Sequence, residues 1–211
     1  MLTLSTLTLF ILAALALLIT PGPAVLYVVA RSIDQGRLAG VVSMLGIHVG
    51  TLFHVAAAAL GLSALLMSSA LAFGVVKYLG AAYLIYLGVR KLLAREETSQ
   101  PEVVERRKLA HVFYQGVVVN LLNPKTALFF FAFLPQFVEP AKGAVAGQIL
   151  LLGFIFVVLG ICSDGLYALL AGTIGRWFKG NMRFLRAERY FAGSVYIGLG
   201  VATALSGSEK K

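Results

Sequence analysis

The chain has 211 residues, 59% of them hydrophobic and only 13% charged, with a mean hydropathy of +0.89. A soluble domain averages about 45–50% apolar and about 25% charged, so this composition excludes an ordinary soluble protein and indicates an all-α integral membrane protein. The net charge of +9 raises nucleic acid as a partner, but its distribution along the chain reads as membrane topology and excludes that role.

A hydrocarbon core about 30 Å thick needs about 20 apolar residues per helix. Six stretches qualify, at roughly 4–30, 40–66, 70–91, 112–138, 145–172 and 189–206. The first has no basic n-region and outruns a signal-peptide h-region, so it reads as a retained span. Inside it, Thr20-Pro21-Gly22-Pro23 breaks the apolar run. Thr20 suits an N-cap, Pro21 suits the first helical position, and Pro23 is tolerated in the first turn. The span therefore reads as two half-helices, the second starting near the membrane midplane.

In the second span Gly46 and Gly50 form a GxxxG which, with Ala56 to Ala59, suits close helix packing. His48 and His54 also lie here. Six residues turn a helix by about 240°, so they do not share a face, and no metal-site spacing appears. His54 reads either as a proton-handling group or as a satisfied buried histidine; His48 reads as the latter. Tyr78, Tyr83 and Tyr86 in the third span, with Tyr190 and Tyr196 in the sixth, read as core or interface aromatics. Residues 94–111 form the one long polar connector. The fourth span carries a second interruption, Asn123-Pro124-Lys125, with Asn120 one turn earlier. Asp164 in the fifth is the only acidic residue well inside a span. It is either a cation or proton site, or a hydrogen-bonded structural group. Trp177 beside the following basic loop reads as an interfacial anchor, and the single cysteine, Cys162, excludes an intrachain disulfide.

Thirteen of the 18 Lys and Arg follow the first, third and fifth spans, beginning with Arg31 and Arg37. The positive-inside rule makes those loops cytoplasmic and puts both termini outside. The two halves also resemble each other. "LITPGPAVLY" (18–27) aligns with "LLNPKTALFF" (121–130), pairing Pro21 with Pro124 and Thr20 with Asn123. "GTLFH" (50–54) aligns with "GICSD" (160–164), setting His54 against Asp164, and "KYLGAAYLIYLGV" (77–89) aligns with "RYFAGSVYIGLGV" (189–201). Three spans per half give an inverted repeat within a single transmembrane domain, with repeats at about 4–93 and 112–206. Matched interruptions in such repeats point to the substrate site. Helix starts present unpaired N–H groups that favour an anion, and Lys125 adds a full charge. Thr20, Pro21, Gly22, Pro23, Asn120, Asn123, Pro124 and Lys125 are thus candidate substrate-binding residues, with Asp164 and His54 the candidate proton-coupling groups. The alternative is a pair of packing kinks, with Lys125 paired or snorkelling.

The segments "ITPGPAVLYVVARSIDQGRLAG", "GTLFHVAAAALGLSALL", "GAAYLIYLGVRKLL" and "NLLNPKTALFFFAFLPQFV", with "SDGLYALLAG", resemble the LysE/RhtB family of bacterial amino-acid exporters. The resemblance implies a six-helix inner-membrane protein exporting amino acids from the cytoplasm by proton antiport, with no cofactor and no enzymatic activity. A single intramembrane carboxylate favours a neutral substrate of the homoserine, threonine or leucine type. Export of another metabolite, a toxic compound or a cation is the alternative, and an intramembrane enzyme a more distant one. A homo-oligomer is compatible with all of these.

Overall fold

The computed structural model describes residues 2–62, 70–93 and 108–178, with single positions between 190 and 205. Among them all regular structure is helical. The chain begins with α1 (Leu4–Ile19), capped by the Thr3 hydroxyl accepting from the Thr6 N–H at 3.2 Å. It ends at Thr20, which is extended because the ring of Pro21 disfavours a helical residue before it. Then α2 (Pro23–Gln35) starts afresh and runs past the expected end of the first span. The loop expected around Arg31 and Arg37 shrinks to one residue, Gly36, whose φ of +92° suits glycine alone. Arg31 is not a loop residue but is buried on α2.

Next come α3 (Arg37–Ala57), extended by a π turn at Ala58–Leu62, and α4 (Ala70–Leu93), which coincides with the third expected span. α5 (Leu109–Leu121) takes in the last three residues of the expected 94–111 connector. α6 (Pro124–Leu128) continues as a π segment at Phe129–Phe133 and a 3-10 turn at Leu134–Phe137. The chain then reaches α7 (Val145–Phe178), whose 34 residues span roughly 50 Å. Two described stretches, Arg37–Gly61 and Val145–Ala171, suffice to cross a membrane alone. The pairs α1–α2 and α5–α6 qualify as broken spans, bent by 50° and 48°. The sixth expected span lies outside the described residues apart from single positions, as do most of the connector and the side chains of Tyr83, Trp177 and Tyr196.

Packing follows the small residues. A Cβ on Gly46 would lie 2.2 Å from the Phe113 carbonyl oxygen, so α3 and α5 approach backbone to backbone there. Gly50 serves the same contact one turn on. A phenylalanine cluster fills the other end, where the Phe129 ring lies tilted against Phe156 at 4.6 Å and meets Phe10 at 5.9 Å. The outer face is apolar too: Leu9, Leu26, Leu60 and Phe154 are more than half exposed. Such a surface suits lipid, while the backbone is satisfied within the helices. This is an all-α membrane protein.

Candidate functional site

The two breaks differ in chemistry. At the second, Asn123 is extended and its side-chain oxygen accepts from the Lys125 N–H at 3.1 Å, with Pro124 in the first helical position. That matches the expectation. At the first, Thr20 does not cap the new helix. It closes α1, and its hydroxyl donates back to the Ala16 carbonyl at 2.7 Å. Gly22 is the N-cap of α2, without a side-chain bond, and Pro23, not Pro21, takes the first helical position. The reason is steric: Pro23 forces Gly22 out of the helical region, so no helix can begin at Pro21. The structural counterpart of Pro124 is therefore Pro23.

The breaks are tied together. The Lys125 ammonium donates to the Thr20 carbonyl, placing a cation on the carbonyl end of α1. The Tyr167 hydroxyl from α7 donates to the neighbouring Ile19 carbonyl at 2.8 Å. Two carbonyls that α1 leaves without helical partners are thus satisfied from other helices.

Asn120 is fully engaged. Its amide nitrogen donates to the Ile47 carbonyl and the Thr51 hydroxyl, both at 2.8 Å. Its side-chain oxygen accepts from Thr126 at 2.9 Å and Asn123 at 3.3 Å. Its backbone carbonyl accepts from His54 Nε2 at 2.9 Å, which makes Nε2 the protonated nitrogen of that ring. His54 also stacks on Phe130.

Asp164 faces a different histidine. His48 Nε2 lies 3.2 Å from Asp164 Oδ2, both side chains being buried. The contact has the distance of an ion pair without the alignment of a hydrogen bond, and among the described residues neither His48 Nδ1 nor Asp164 Oδ1 has a hydrogen-bond partner. Gly160, one turn before Asp164, makes room for the ring: a Cβ there would meet His48 Cε1 at 2.5 Å.

One cavity of about 30 Å³ joins these groups. It is lined by Gly22, Ala24 and Val25 from the start of α2, by Asn123, Lys125 and Thr126 from the start of α6, and by His48 from α3 and Asp164 from α7. Of the sequence candidates, Gly22, Asn120, Asn123, Lys125 and Asp164 line it, while Thr20 touches it only through Lys125. Pro21, Pro23, Pro124 and His54 stand outside the lining, the last two prolines exposed. His48, Thr51 and Thr126 were not among the candidates. The i, i+3 spacing of His48 and Thr51 on α3 was the only available signal for the first two. Among the described residues, no three His, Cys, Asp or Glu side chains gather as a metal site would require.

Comparison with known proteins agrees with this picture. The profile of the LysE type translocator family matches residues 15–207. An uncharacterized membrane protein of Bacillus subtilis, YrhP, is 31% identical over 93% of this chain and 97% of its own length. A homoserine/homoserine lactone efflux protein of Salmonella typhimurium is 31% identical over 92% of this chain and 94% of its own. No solved structure matches. Broken helices around a buried polar cavity and a match across nearly its whole length identify the chain as a member of the LysE type translocator family, a membrane transporter and not an enzyme.

Proposed function

We propose that this protein exports neutral amino acids, of the homoserine, threonine or leucine type, by exchange for protons. The observation that carries the reading is the single cavity shared by both helix starts, one lysine and one carboxylate. A zwitterion has complementary ends. Its carboxylate suits the Lys125 ammonium and the free N–H groups of α2, and its ammonium suits Asp164. The Salmonella relative is named for homoserine and its lactone, which share an amino group while only the first has a free carboxylate. The ammonium site opposite Asp164 is therefore the more general handle.

The cavity has room for roughly one or two water molecules, so a bound amino acid requires the walls to part. The two bends supply the hinges, because half-helices can swing about Gly22 and Asn123 without breaking helical hydrogen bonds. Alternating access about matched breaks is the motion of inverted repeats. Asn120 and His54 hold the wall in place, and Asp164 carries the coupling proton. Both termini then lie outside the bacterial inner membrane, an orientation that the basic excess after the first, third and fifth expected spans supports. Cells overexpressing the protein and fed a panel of dipeptides should release one or more neutral amino acids faster than cells carrying Lys125→Ala. Equal release from both, for every amino acid, would refute the reading.

A further inference from the structure

We propose that Asp164 holds either a proton or the ammonium group of the substrate, never both, so that competition for one carboxylate couples export to the proton gradient. The inference rests on the reading of the chain as an amino-acid antiporter and adds how its two fluxes are linked. Among the described residues Asp164 is the only acidic one lining the cavity, and it is 3% exposed. One of its oxygens has no hydrogen-bond partner, and the other has only the misaligned His48. Buried polar atoms without partners are rare and costly. A buried carboxylate oxygen without a partner, on a residue that lines the cavity, leaves room for a donor that the protein itself does not supply.

The charged neighbours on the elements around Asp164 leave that role to it. α3 contributes His48, while His54 further along bonds the Asn120 carbonyl. α6 contributes Lys125, which donates to the Thr20 carbonyl. On α2, Arg31 is held by Gln35 and Gln115, each at 2.8 Å. α1 carries no ionisable side chain.

A protonated Asp164 is neutral and donates its O–H, so it offers an ammonium group no charge to pair with. When a zwitterion arrives from the cytoplasm, the O–H bond of Asp164 breaks, the proton leaves, and the carboxylate accepts from the ammonium. On the outer side the exchange reverses: the amino acid departs and a proton binds. One proton enters for each zwitterion that leaves, moving one positive charge inward. His48, packed against Gly160, positions the carboxylate and can pass the proton.

The test is proton release on binding, read with a pH indicator in weakly buffered, detergent-purified wild-type protein. L-homoserine should release up to about one proton per bound molecule, and its apparent affinity should fall about tenfold per pH unit on the acid side. γ-Hydroxybutyrate, the same molecule without the amino group, should release none. Asp164→Asn should bind homoserine only weakly, with an affinity that no longer changes with pH and without release, and His48→Gln should move the pH midpoint while keeping the release. Homoserine binding without proton release, or equal release by γ-hydroxybutyrate, overturns the inference in wild-type protein alone. A wild type that binds none of homoserine, threonine and leucine overturns the amino-acid reading and the inference with it.

Discussion

The two interruptions bend their spans by almost the same angle, 50° and 48°, yet they are built from different materials. The second is capped by its own side chain. Asn123 caps its own helix, and Asn120 knits the turn to α3 through Ile47 and Thr51. The first has no polar side chain at its helix start, only Gly22 and the constraint of Pro23. Its carbonyl end is held from outside, by Lys125 and Tyr167. Similar geometry thus arises from a joint whose helix start is capped by its own side chain in one half and from a joint clamped by its neighbours in the other. The clamp reaches from the second break to the first, so drawing Lys125 away from Thr20 also frees the end of α1.

Substitutions can break this contrast in a graded order. Asn120→Ala should be the most damaging. It removes four side-chain hydrogen bonds and leaves buried partners bare, a loss of roughly 2–3 kcal/mol, seen as a large fall in the thermal midpoint in detergent. Lys125→Met should follow. It uncovers the buried Thr20 carbonyl, costs about 1–3 kcal/mol and abolishes efflux from proteoliposomes. Asn123→Ala should cost about 1 kcal/mol as a lost cap, with efflux reduced but measurable. Thr20→Val should change stability least, by less than about 0.5 kcal/mol, because its hydroxyl only bonds back to its own helix. If Thr20→Val and Asn123→Ala destabilised equally, the two joints would be alike and the contrast would fail.

Much of this was legible in the sequence. Apolar length placed the helices of the first five expected spans where their residues are described, four of which, two of them bent pairs, are long and apolar enough to cross a membrane, and proline placed both breaks. The GxxxG of Gly46 and Gly50 marked a close backbone approach of two helices correctly. The exact start of α2 was misread because Thr20-Pro21 and Gly22-Pro23 carry the same signal two residues apart. The restriction that proline imposes on its predecessor decides between them, and it is local enough to have been used. Lys125, Asn123 and Asp164 could be found because polar residues are conspicuous in apolar helices. The pairing of Asp164 with His48 could not be found. Repeat alignment set Asp164 against His54, but equivalence in a repeat is not contact, and α3 and α7 meet only through tertiary packing. Nor could sequence reveal that Lys125 reaches a carbonyl 105 residues away.

The central claim is that the two helix starts line one substrate site, and thiol protection tests it most directly. Cys162 is the chain's only cysteine and is exposed, so Cys162→Ser provides a background without thiols. Ala24→Cys at the first start and Thr126→Cys at the second should then be labelled by a small thiol reagent in membranes. The exported amino acid should slow labelling at both positions and leave the outward-facing Leu9→Cys unchanged. Protection at only one of the two starts, or at neither, would contradict the account.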